Sequence, residues 1–131
     1  MTQKRVITFG TFDVFHVGHL RILKAAKDKG DHLSVGVSSD KFSLRKKGKL
    51  PVYTESERCE IVRGLKYVDD VFIEDSFELK REYIIQHKAN IIIMGSDWQD
   101  KFNEFSDICE VIYLPRTPSI STSAIIEKIR E

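Results

Sequence analysis

Ile91-Ile92-Ile93-Met94 is the most apolar run in the chain. Four successive apolar side chains leave neither face of an extended segment suited to water, so the run reads as a central parallel strand buried on both faces. Parallel strands need long crossovers, usually helical, and the rest of the chain supplies both parts. Short apolar runs recur at Val6-Ile7-Thr8-Phe9, at 32–37, at 67–73 and at 111–114. Between them the apolar positions move to helical spacing.

The expected order is strand one from about Val6 to Phe9 and a first helix from about Gly18 to Asp28. Gly30 is placed to end that helix as a left-handed cap. Strand two follows at 32–37, with His32 as a connector residue. Residues 38–51 carry Arg45, Lys46, Lys47 and Lys49, broken by Gly48 and closed by Pro51, and read as a flexible basic loop. Thr54 and Glu57 form a capping box for the second helix, which holds Arg58 and an apolar face of Ile61, Val62 and Leu65. Gly64 weakens its end. Strand three is expected from Tyr67 to Ile73. Ser76 is expected to cap a third helix with Leu79, Tyr83, Ile84 and His87 on about one side. Lys80 and Arg81 in its first turns oppose the helix dipole, which hints at an anion nearby and is equally consistent with a plain surface pair. Strand five is Val111 to Leu114, and a last helix runs to about Arg130. Five strand–helix units predict an α/β fold: a Rossmann-like, doubly wound parallel sheet of about five strands with helices on both faces and right-handed crossovers. The 131 residues suit a single domain.

Composition narrows the function. The formal net charge is +1, which implies no general attraction to nucleic acid. No apolar run approaches the ~18 residues of a membrane span, so no membrane insertion is expected. The N-terminal residues lack a signal-peptide pattern, and a cytoplasmic location is expected. Cys59 and Cys109 have no metal-like spacing and read as reduced packing residues.

The chemistry concentrates at the ends of strands. Gly10-Thr11-Phe12-Asp13-Val14-Phe15-His16-Val17-Gly18-His19 joins the first strand to the first helix. A helix N-terminus there offers N–H groups and partial positive charge to an anion. Gly10 and Gly18 let the backbone approach a bulky ligand. His16 and His19, three apart, share one face of the helix start and suit a phosphate that gains negative charge during reaction. After strand four stands Gly95-Ser96-Asp97-Trp98, where a ligand crevice belongs; the alternative is a tight turn with Trp98 packing on the core. After strand five, Arg116 and Thr117 precede Ile120-Ser121-Thr122-Ser123, and Arg116 offers a planar donor fork to a triphosphate. Ser121 and Thr122 also suit caps of the last helix.

Gly-Thr-Phe-Asp followed by His-x-Gly-His resembles the signature of the cytidylyltransferase family of nucleotidyltransferases. Lys-Tyr-Val-Asp-Asp-Val at 66–71, Met-Gly-Ser-Asp-Trp at 94–98 and Tyr-Leu-Pro-Arg-Thr at 113–117 with Ile-Ser-Thr at 120–122 extend the likeness over nearly the whole chain, toward the glycerol-3-phosphate branch of that family. The resemblance implies CTP plus glycerol 3-phosphate giving CDP-glycerol and pyrophosphate, in a homodimer, with the product used for teichoic-acid or capsular polymers. Mg²⁺ would be carried mainly by the CTP phosphates, with no metal site made by protein side chains. It implies catalytic roles for His16, His19, Lys46 and Arg116. Nucleotide contacts fall to Gly10, Thr11, Phe12, Asp13, Gly18, Lys49, Asp97, Trp98, Thr117 and Ile120 to Ser123. Acceptor contacts fall to Lys46, Lys80, Arg58 and Asp13, and Arg58 and Asp69 resemble positions near the site and the dimer contact. The chain departs from the pattern at Val17, Lys66, Ser119 and Ser123.

Other readings compete. A sister enzyme could act on choline, ethanolamine or another polyol phosphate, or transfer an adenylyl group. Lys46 and Lys80 favour a neutral polyol phosphate over a cationic acceptor, which would want acidic or aromatic groups. A non-catalytic nucleotide-binding module is the alternative from another class.

Overall fold

The computed structural model describes residues 3–115 and 120–131. Five strands, β1 (Arg5–Gly10), β2 (His32–Ser38), β3 (Asp70–Glu74), β4 (Ile91–Gly95) and β5 (Glu110–Leu114), form one sheet in the order β3-β2-β1-β4-β5. All four pairings are parallel. The helices are α1 (Val17–Lys27), α2 (Asp40–Lys47), α3 (Glu55–Arg63), α4 (Lys80–Gln86) and α5 (Thr122–Arg130).

Alternation along the inner strands divides the core. Val6, Ile91 and Ile93 face one side, where Leu23 and Ala26 of α1 and Cys59 and Val62 of α3 cover them. Ile7, Ile92 and Met94 face the other, under Ile84 of α4 and the rings of Phe102 and Phe105. Each side chain fully buried this way contributes about 1.5–3 kcal/mol. The doubly wound arrangement read from the sequence is therefore present.

Strand order reverses between β1 and β4, so their C-terminal ends diverge into a crevice, the place where open α/β sheets bind ligands. Gly10, Ser38, Glu74, Gly95 and Leu114 close the five strands along that edge.

Local expectations fail where the apolar pattern was thin. Gly30 is not a left-handed cap: α1 ends at Asp28 in the right-handed region. Gly30 is needed instead because a Cβ there would meet the Lys4 carbonyl oxygen at 2.6 Å. The basic stretch is not simply a loop. Ser39 accepts from the Phe42 N–H and starts α2, while Gly48, at φ 76°, ends it. The Thr54–Glu57 capping box forms, but α3 ends before Leu65, Ile61 is 37% exposed, and Gly64 is the residue that caps it. β3 begins at Asp70 rather than Tyr67, and Ser76 does not cap α4, whose N-terminal flank is Leu79 with no side-chain cap.

Candidate active site

A cleft of about 950 Å³ opens above the C-terminal edge of the sheet. It brings together Gly10, Thr11, Phe12, Asp13, His16, Gly18, His19, Lys46, Lys49, Lys80, Asp97, Trp98 and the segment Ile120 to Ser123. Arg116, Thr117 and Ser119 lie outside the described residues.

The turn after β1 is tightly wound. Phe12 and Val14 sit at φ 55° and 45°, a region costly for residues with a Cβ, so the surrounding structure must hold them there. Gly10 is one reason the turn closes, since a Cβ on it would meet the Phe12 ring at 2.8 Å. The two histidines then cap α1 reciprocally. His16 Nδ1 accepts from the Gly18 N–H at 3.0 Å, and the His16 N–H donates to His19 Nδ1 at 3.2 Å. The rings stack with centroids 3.8 Å apart and planes 23° from parallel. Because each Nδ1 accepts, each neutral ring carries its proton on Nε2, leaving that edge as a donor. Burial, and then the neighbouring His16, push the His19 pKa from 6.5 to about 4.

The cations arrive from two other strands. Lys46, on α2, donates to Ser38 Oγ at 2.9 Å and lies 4.4 Å from the Phe42 ring centroid. Desolvation lowers its pKa from 10.5 to about 8 despite the opposing pull of Glu74. Lys80, the first residue of α4, is 3% exposed and pairs with Glu74 at 2.6 Å. Burial pushes the ammonium below its ordinary value and the carboxyl above its own, while the ion pair opposes both shifts. Arg81 turns away and pairs with Asp107. The two cations thus have protein partners, which accounts for their place at a helix start without any bound anion.

Two residues expected to hold ligand have side chains engaged with protein groups. Arg58 does not line the cleft. Fully buried, it donates to the carbonyl oxygens of Tyr53, Thr11 and Ser38 and to Asp40 Oδ1, at 2.7–3.0 Å. It ties the turn after β1 to the end of β2 and the start of α2. Asp13 borders the cleft, but its two oxygens accept from the Val52 and Tyr53 N–H groups at 2.7 and 2.9 Å. Thr122 also departs from the capping expectation, since its hydroxyl donates to the Asp13 carbonyl at 2.8 Å; Ser121 does cap α5. Asp69 is bound to Lys27 and the Leu33 N–H, and Lys66 lies over the Tyr67 ring; neither lines the cleft. Trp98 is 44% exposed, lines the cleft and leans on Phe102, so it combines the packing and ligand readings.

Sequence reasoning missed Ser38, Phe42, Ser43 and Glu74. The signal for Ser38 and Glu74 was their position at strand C-termini. Ser43 is 1% exposed and lies on the cleft wall, and its hydroxyl has no hydrogen-bond partner among the described residues. Among the described residues no group of three or more His, Cys, Asp or Glu side chains could hold a metal ion. No helix described is long and apolar enough to cross a membrane.

The Cytidylyltransferase-like family model matches residues 7–128. The chain is 45% identical to glycerol-3-phosphate cytidylyltransferase of Bacillus subtilis (strain 168), covering 97% of this chain and 98% of that one. It is 36% identical to FAD synthase of Pyrococcus abyssi, covering 97% and 93%. The crystal structure of the lipopolysaccharide core biosynthesis protein from Thermoplasma volcanium superposes with a TM-score of 0.74 at 28% identity, covering 88% of this chain and 99% of that one.

Proposed function

The chain belongs to the cytidylyltransferase-like family, and from that premise we propose that it transfers the cytidylyl group of CTP to glycerol 3-phosphate, giving CDP-glycerol and pyrophosphate. The full-length 45% identity to a glycerol-3-phosphate cytidylyltransferase carries the choice of substrates. The clustered histidines and lysines at the sheet's switch point support the chemistry.

The acceptor's phosphate oxygen attacks the α-phosphorus in line, and pyrophosphate leaves, so no protein nucleophile is needed. Catalysis then lies in positioning and in neutralising charge. His16 and His19 aim Nε2 donors at the α-phosphate as negative charge grows on it. A His19 held neutral keeps that donor over the whole physiological range. Lys46 meets the acceptor phosphate, Lys49 the triphosphate, and the start of α1 adds backbone N–H groups. Arg116 and Thr117 join them on the triphosphate. Asp97 and Trp98 border the base and ribose. Arg58 and Asp13 act through the turn and loop they hold.

Among the described residues, Asp13 and Glu74 beside the cleft are engaged with protein groups. Mg²⁺ would come with the substrate, carried mainly by the CTP phosphates, and no step is assigned to it. A cytoplasmic homodimer completes the reading, with CDP-glycerol feeding teichoic-acid or capsular polymers; light scattering tests the dimer. The functional test is pyrophosphate release with CTP or ATP against glycerol 3-phosphate, ribitol 5-phosphate, phosphocholine and phosphoethanolamine. Release confined to CTP with glycerol 3-phosphate is expected. Release with ATP alone would move the chain toward the adenylyl-transferring relatives.

A further inference from the structure

We propose that Lys80 is the resident cation of an aromatic cage, and that by filling the cage it bars acceptors whose alcohol carries its own ammonium group. This rests on the reading above and extends it to acceptor choice.

Three rings surround the Lys80 Nζ, with centroids at 3.9 Å (Phe9), 5.1 Å (Phe102) and 5.3 Å (Phe77). Glu74 Oε2 closes the remaining side at 2.6 Å. Aromatic faces with one carboxylate form the combination that recognises organic ammonium ions. The pair is sealed, Lys80 being 3% exposed and Glu74 1%. All five residues border the cleft, so an acceptor lying there sits beside the cage.

The location is an unfavourable one for a lysine without a purpose. It opens α4, where the helix dipole disfavours a cation, and the rings strip its water. Glu74, fixed at the end of β3, offsets both costs. A phosphorylated amino alcohol would bring a second ammonium beside the first, into space already filled. Like charges side by side at an interface repel and act as a means of discrimination. A polyol phosphate brings only hydroxyls and an anion.

The test compares the wild-type chain, Lys80→Ala and Lys80→Met. Pyrophosphate release with CTP is measured for glycerol 3-phosphate and phosphoethanolamine. Lys80→Ala vacates the cage and leaves Glu74, and its kcat/KM for phosphoethanolamine is expected to rise about a hundredfold or more over the wild-type value. Lys80→Met fills the same space without charge and should gain no cationic acceptor. Methylammonium chloride, with neither nucleotide nor acceptor present, should raise the melting temperature of Lys80→Ala alone. If Lys80→Ala does not fold, methylammonium is expected to restore its circular dichroism, and Lys80→Ser is expected to respond in the same way. Absence of any cation response in the Ala and Ser variants overturns the proposal, as does an equal acceptor gain in Lys80→Met. Wild-type silence toward glycerol 3-phosphate would overturn the functional reading instead, while the methylammonium arm still tests the cage.

Discussion

The imidazoles of His16 and His19 stack 3.8 Å apart because each is the other's partner in a helix cap. The same contacts that start α1 fix which nitrogen of each ring carries the proton. Fold and chemistry are therefore joined at two side chains. Substitution by Ala at either position is expected to lower turnover about a hundredfold or more, by analogy with loss of an oxyanion-hole donor. At position 16 the lost cap adds about 0.5–2 kcal/mol of destabilisation. His16→Asn restores a capping group without the imidazole donor, so it should recover melting temperature but not kcat. Near-wild-type kcat in these variants would remove the catalytic assignment.

Gly18 tests the geometry without removing either imidazole. A Cβ there would meet His16 Cε1 at 2.8 Å and Nδ1 at 3.0 Å, so Gly18→Ala must move the His16 ring off its N–H partner. We expect kcat to fall about tenfold or more, since small misplacements of a catalytic group carry such penalties. The melting temperature should change little, because Ala gains about 0.8–1 kcal/mol over Gly inside α1 and offsets the weakened cap. Unchanged kcat would show that the ring's position is not critical.

Two pH dependences follow. Lys46 titrates near 8, so the KM for the acceptor should rise as pH passes through 8, and steady-state kinetics across that range check it. A lysine whose folded pKa is depressed costs stability while both states are protonated. That cost is relieved between about 8 and 10.5, so tighter folding and weaker acceptor binding should appear together there. His19 behaves differently. Its folded pKa of about 4 lies below the ordinary 6.5, so the unfolded chain takes up the proton first. Its contribution to stability is complete above 6.5 and is lost as pH falls toward 4. Denaturant titrations across that window should show the fall, reduced in His19→Asn.

How much of this was legible in the sequence depended on burial. The apolar runs named the strands because inner parallel strands exclude water on both faces, and the His-x-Gly-His turn named the site. α2 was missed because Phe42 is its one buried large apolar residue, too little for a helical period. Arg58 and Asp13 were read as ligand groups from the family resemblance. Their partners include backbone atoms far along the chain, such as the Thr11 carbonyl for Arg58 and the Val52 and Tyr53 N–H groups for Asp13, and no local pattern encodes such contacts. The Lys80 cage joins β1, β3, α4 and the segment after β4, and only the fold assembles it.

Arg58 gives the clearest prediction about stability. Arg58→Ala strands three carbonyl groups and the Asp40 carboxylate, and breaking a buried ionic network of this kind costs about 3–5 kcal/mol. Arg58→Lys should recover little, because an ammonium lacks the planar fork that reaches Tyr53, Thr11, Ser38 and Asp40 together. Thermal unfolding measures both. A melting temperature in Arg58→Ala within a degree or so of wild type would show that the four contacts carry no stability.

The most direct test of the central claim follows the oxygen atoms. Glycerol 3-phosphate carrying heavy oxygen in its phosphate is incubated with unlabelled CTP and Mg²⁺, and the products are resolved by mass spectrometry. Attack by the acceptor's phosphate on the α-phosphorus predicts CDP-glycerol that retains every labelled oxygen, together with unlabelled pyrophosphate. Absence of CDP-glycerol, or label appearing in pyrophosphate, would contradict it.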